Sequence, residues 1–138
     1  MELAGSGLHY RMRRALRQIG EQHRQLHQIQ GRLGAAIASG ERSDARDAFV
    51  RFRHAIGAHF ELEDGVFFPA LHGLRPEERE ELEGLSREHA GLLGALQPLL
   101  PLLEEAALER FDAAFAAFRL ELAKHEKREE ALVSRIAG

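Results

Sequence analysis

Apolar residues recur along this chain in steps of three and four. Phe49, Phe52, Ile56, His59, Glu63, Val66 and Ala70 step by 3, 4, 3, 4, 3 and 4, the spacing of a buried helical seam. Two members of that seam, an imidazole and a carboxylate, are the wrong chemistry for a core. Three other stretches carry similar stripes. Leu16, Ile19, His23, Leu26, Leu33 and Ile37 lie on a helix expected from about Leu8 to Ala38. Leu82, Leu85, His89, Leu92 and Leu96 lie on another, opened by "LRPEEREE" with Pro76 near its first position and acids in its first turn. Phe111, Phe115, Phe118, Leu122, His125, Glu129, Leu132 and Ile136 mark a helix from about Leu108 to Ile136. "SGERS" is the turn before the second helix, with Ser43 the expected N-cap, and "HG" closes that helix after about Leu71. Pro98 and Pro101 are expected to end or kink the third helix.

The two halves match at an offset of 66 residues. Ile19 falls on Leu85, His23 on His89, Leu26 on Leu92, Phe52 on Phe118, Ile56 on Leu122, His59 on His125 and Glu63 on Glu129. This is an internal repeat of a helical hairpin. Two such hairpins predict an all-α fold, an up-down-up-down antiparallel four-helix bundle in which residues 1–138 form a single domain.

Each helix thus offers one seam histidine, and the second and fourth add a glutamate one turn on. Four residues turn a helix by about 400°, so His59 and Glu63 lie about 40° apart and roughly 6 Å along the axis. Asp64 is then turned about 100° away from Glu63, off the seam. A buried unpaired carboxylate costs several kcal/mol or becomes protonated. Two divalent cations would remove that cost by replacing lost hydration with ligand bonds. Imidazole and carboxylate without thiolate suit iron or manganese at least as well as zinc.

Composition narrows the field further. The chain has no cysteine, which excludes disulfides, thiolate zinc sites and Fe–S clusters. A net charge of −3 gives no strong pull toward nucleic acid or membrane. The N-terminus lacks an apolar h-region, and the longest apolar stretch, "LLGALQPLLPLL", is short and holds two prolines. A soluble cytoplasmic protein is expected. Of the eight histidines, His9, His54 and His72 fall off the seams or at helix ends and are expected in solvent.

The segments "EQHRQL", "HFELEDGVFFPAL", "REHAGLL" and "KHEKREEAL" resemble those of the hemerythrin-like, or HHE cation-binding, domains over nearly the whole chain. The resemblance implies a carboxylate-bridged di-iron centre. Its ligands would be His23, His59, Glu63, His89, His125 and Glu129, with Glu63 and Glu129 as bridges. Two features depart from the O₂-carrying hemerythrins. Leu93 stands where they have a second histidine on the third helix, and the fourth helix has His125 and Glu129 in place of their H-x-x-x-x-D pattern. His27, the repeat counterpart of Leu93, is a candidate additional ligand, with a polar residue at the seam edge as the other reading. These departures weigh against reversible O₂ carriage.

The expected function is a non-haem di-iron protein with two iron ions. It would bind O₂, NO or peroxide in sensing, storage, detoxification or iron handling, as a metal- and ligand-binding protein more than a dedicated enzyme. The protein partner is left open, and the apolar Pro98–Pro101 stretch is expected to pack on the bundle end or on a partner. The rival readings are a metal-free helical interaction bundle and a zinc-binding one. A ferritin-like oxidase needs Glu-x-x-His, and no histidine here has a glutamate three residues before it.

Overall fold

The computed structural model describes residues 2–105 and 107–137, with side chains described over 7–105 and 107–136. The fold is all-helical, with no strand among the described residues. Four long helical segments form a helical bundle. The first, α1 (Glu2–Ala38), ends where Gly40 takes a φ of 73°, the left-handed conformation that glycine adopts without penalty. The Gly40 and Glu41 N–H groups donate back to the Ile37 and Ala36 carbonyls, closing the helix end. Helix α2 (Arg42–Leu62) starts at once, with Glu41 in the cap position and no side-chain cap bond. Ser43 is therefore inside the first turn and is not the N-cap. The glycine reversal needs so few residues that the helix begins before the serine is reached.

The second long segment changes its winding at Glu63. Residues Glu63–Phe67 form a π turn, followed by α3 (Phe68–Leu74). The Phe68 N–H donates to the Glu63 carbonyl, five residues back. Pro69 explains the location. It has no N–H, and in a regular helix its ring crowds the carbonyl four residues before it. A wider turn relieves that crowding. The consequence is a shift of one residue in the seam. Val66, expected inside, is 42% exposed, while Phe67 is 0% exposed. At the start of α1, Leu16 is also exposed, and Met12 and Ala15 are buried beside the expected Ile19.

A 3₁₀ turn (Pro76–Glu78) leads into α4 (Arg79–Leu96). Pro98 then breaks the helix, as expected, and α5 (Leu99–Glu104) follows. Leu99 and Leu103 of α5 are buried in the core, so the proline stretch plugs one end of the bundle. The last element is α6 (Leu108–Ala137). No helix among the described residues is long and apolar enough to cross a membrane.

The interior holds two apolar cores. One is built around Leu26, Leu33, Phe49, Phe52, Leu92, Leu96, Phe111, Phe115 and Phe118. Its phenylalanines meet edge-on between α2 and α6, as in Phe49–Phe111 at 5.3 Å and Phe52–Phe115 at 5.2 Å. The other core gathers Met12, Ile19, Phe67, Leu71, Leu82, Leu85 and Leu132. On α1, α4 and α6 the seam histidine falls between the residues given to one core and those given to the other, and on the second segment His59 lies beside Phe60, where the first core ends.

The register shift has a direct test. Phe67→Ala should cost about 3–5 kcal/mol of unfolding free energy, and Val66→Ala should stay within about 0.5 kcal/mol. Denaturant unfolding of the two variants measures both. Equal costs would restore an unbroken seam through Val66.

Candidate metal centre

The belt between the cores collects side chains from all four long segments. His23 comes from α1, His59 from the end of α2, Glu63 from the π turn, His89 from α4, and His125 and Glu129 from α6. Five of these six are buried, with Glu63 at 0% and Glu129 at 7% exposure, and His23 is half-buried. They form a continuous series of neighbours. The His23 and His59 rings are 4.7 Å apart. His59 Nε2 is 3.6 Å from Glu63 Oε2, and His89 Nε2 is 3.1 Å from Glu63 Oε1. His89 Nε2 and His125 Nε2 are 3.2 Å apart, and His125 Nε2 is 3.7 Å from Glu129 Oε2. Glu63, His89 and His125 each place one ligand atom within 4.8 Å of the others.

The protons on these rings follow from their outer partners. The Nδ1–H of His89 donates to Asp64, at 3.0 Å from Oδ1 and 3.1 Å from Oδ2. The Nδ1–H of His125 donates to Glu88 Oε1 at 2.8 Å, and that of His59 to the Gln22 amide oxygen at 3.0 Å. A carboxylate or an amide oxygen can only accept, so each Nδ1 carries the ring proton. A neutral imidazole has one donor and one acceptor nitrogen, which leaves Nε2 as a lone pair on all three rings. Those lone pairs face one another and the oxygens of Glu63. Both Glu63 oxygens and His23 Nε2 are buried without a hydrogen-bond partner among the described residues. Acceptors face acceptors, an arrangement that suits a cation.

Electrostatics agrees. Burial pushes the Glu63 carboxyl up to about 7; the neighbouring Glu129 carboxyl works against the rise, and the charges of Asp64 and Glu126 add to it. Burial pushes Glu129 up to about 10, with neighbouring Glu63 adding to it. Burial lowers His59 to about 3, helped by His23, His89 and His125, and burial also lowers His125. Without a cation the centre is driven toward a neutral state, with protons held on carboxyl groups whose natural partner would be a metal.

Aromatic walls hold the rings. Phe60 stacks on His89 at 4.0 Å and 10°, and Phe68 lies nearly parallel to the same imidazole at 5.7 Å. Phe60 also meets the rings of His59 and His125.

His27 is exposed on α1, apart from the converging groups, and its counterpart Leu93 is half-buried against the first core. His9, His54 and His72 are exposed, as expected. Asp64, expected to be turned away, is partly exposed yet reaches His89 and accepts from Ser86 Oγ at 2.7 Å. It and Glu63 address the two nitrogens of one ring from adjacent positions in the π turn. Sequence reasoning also passed over Gln22 and Glu88. A signal for these two existed: each directly precedes a seam histidine, they stand 66 residues apart, and each bonds the histidine 37 residues on.

Comparison with curated proteins and with solved structures gives no significant match. The profile of the hemerythrin HHE cation-binding domain matches residues 14–137, which includes every residue of the belt. A bundle whose buried waist presents histidine lone pairs and unpartnered carboxyl oxygens is what a cation-binding domain requires, and the chain belongs to the hemerythrin HHE cation-binding domain family.

Proposed function

We propose that this chain is a single domain holding two iron ions in a carboxylate-bridged pair, with His23, His59, Glu63, His89, His125 and Glu129 as ligands. The observation that carries this reading is Glu63. It is fully buried, its oxygens have no hydrogen-bond partner among the described residues, and one lies toward His59 while the other lies toward His89. One carboxylate between two histidine pairs suits a bridge. Glu129, beside His125, suits a second. Imidazole and carboxylate without thiolate suit iron or manganese at least as well as zinc, and the resemblance to the hemerythrin-like domains turns the choice to iron. His27, being exposed, stands outside this ligand set. Six protein ligands on two ions leave coordination positions open, and a bound iron pair supplies redox and ligand-binding chemistry there. The ligand is O₂ or a related small molecule such as NO or peroxide, in sensing, storage, detoxification or iron handling.

The bundle would run up-down-up-down as two repeated hairpins. Order along the chain supports this. Helices α1 and α4 meet the core of Met12 and Leu82 before their histidine and the phenylalanine-rich core after it, while the second and last segments meet them in reverse. Leu8, near the start of α1, also approaches Gly73, near the end of α3.

Protein purified under iron-replete conditions should carry about two iron ions per chain by elemental analysis. Chelation should lower its melting temperature, because the ions join all four long segments at one level. An unchanged melting temperature in metal-free protein would count decisively against the buried pair.

Glu63→Ala should release at least one ion, while His27→Ala should retain both ions and the visible spectrum of the oxidised protein. Loss of iron from the His27 variant would return that residue to the ligand set.

Protonation gives a further test. In the metal-free fold Glu63 is raised to about 7 and Glu129 to about 10, from 4.5. A raised carboxyl keeps its proton in the folded chain after the unfolded chain has lost it. Its stabilisation is therefore full below the unfolded value and is lost as pH rises through the folded one. His59, lowered from 6.5 to about 3, acts in the opposite sense: its contribution is lost only as pH falls through the folded value. Above about pH 7 only the carboxyl effect remains. Metal-free protein should lose stability from about pH 7 to about pH 9, by at most about 1.4 kcal/mol per pH unit for one proton. Metal-loaded protein and metal-free Glu129→Gln should show little slope in thermal melts. A steep slope in metal-free Glu129→Gln would assign the effect elsewhere.

A further inference from the structure

We propose that the two ends of the centre are made unequal by the groups behind their histidines, so that a divalent cation binds first and more tightly between His89 and His125. This inference rests on the two-ion reading above.

The difference lies in the outer partners. His89 is backed by the Asp64 carboxylate and His125 by the Glu88 carboxylate. A carboxylate accepting the Nδ1 proton pushes electron density into the ring and makes Nε2 a stronger donor. At the other end, His59 is backed by Gln22, a neutral amide. His23 has no side-chain hydrogen bond among the described residues. The ring stacked beside Phe60 and Phe68 is also His89, so the strongly backed end has the most tightly held imidazole.

The two carboxylates are themselves unequal. Glu88 shares its charge with Arg128, which also lies 3.6 Å from Glu81. Among the described residues, Asp64 has only the neutral Ser86 hydroxyl as its other partner. Asp64 therefore makes the larger contribution. It acts through His89 and is a positioning residue. Gln22 and Glu88 occupy equivalent places in the repeat, so one amide in place of one acid accounts for part of the difference between the two ends, and Asp64 behind His89 for the rest.

The inequality can be read by stepwise loading of metal-free full-length protein with Co(II), followed by calorimetry and visible absorption. Wild-type protein should bind two ions in two resolved steps. Asp64→Asn should weaken the first step by roughly 10-fold or more, and Glu88→Gln by less, with the second step nearly unchanged. Gln22→Glu should strengthen the second step and draw the two affinities together. In the iron-loaded protein, Asp64→Asn should raise the midpoint potential of one iron only, a shift that a general loss of packing would not confine to one ion. Two ions bound with a single affinity, or a first step indifferent to Asp64→Asn, would overturn the inequality and leave the two-ion reading standing. Uptake of one ion in total would overturn both.

Discussion

Glu63 lies at the centre of the bundle with both oxygens buried and without a hydrogen-bond partner among the described residues. Leaving such a group unsatisfied costs a few kcal/mol even as a neutral acid, and more as an anion. Much of the neighbouring structure answers to that cost. Three imidazoles are turned so that their lone pairs face inward, which only their outer acceptors make possible. Aromatic faces close the sides. The arrangement is unfavourable as a set of neutral side chains and favourable around positive charge. That contrast gives the cation-binding assignment its physical basis.

Much of this was legible in the sequence, and the missing parts are informative. The seam positions of His59, His89, His125, Glu63 and Glu129 follow from three-four spacing, because burial on a regular helix is set by angle alone. The reading failed at Val66, where the helix stops being regular. Pro69 signalled an interruption, but a wide turn and a kink relieve a proline equally well, and spacing does not choose between them. Ser43 failed as a cap because the reversal at Gly40 was shorter than expected. Asp64 was read as turned away because angle describes where a Cβ lies, while a carboxylate can still reach a neighbouring ring. Gln22 and Glu88 resemble solvated residues in their own helices and acquire meaning only when the two halves are laid together.

The repeat thus carries both likeness and difference. At an offset of 66 residues the two halves of the sequence share Phe49 with Phe115, Phe52 with Phe118, Leu26 with Leu92, His23 with His89 and His59 with His125. They differ at Gln22 against Glu88, and at His27 against Leu93. The first difference lies against a belt histidine, since Gln22 meets His59 and Glu88 meets His125. The second places a histidine in solvent on one side and an apolar residue against the core on the other. Equivalent positions in a repeat are therefore not equivalent sites, and the electronic character of each end depends on residues outside any ligand motif.

The division of the interior into two apolar cores also bears on cooperativity. A continuous core unfolds as one unit because each packed layer supports the next. Here the layers are interrupted by a polar waist, so the coupling between the ends passes through whatever occupies it. On the two-ion reading, that coupling grows with the free concentration of the ion, through ordinary mass action. Plentiful metal would make the chain one cooperative unit, and scarcity would let its ends open with more independence. The availability of the cation would then govern how long the folded chain survives against proteolysis, before any ligand chemistry takes place.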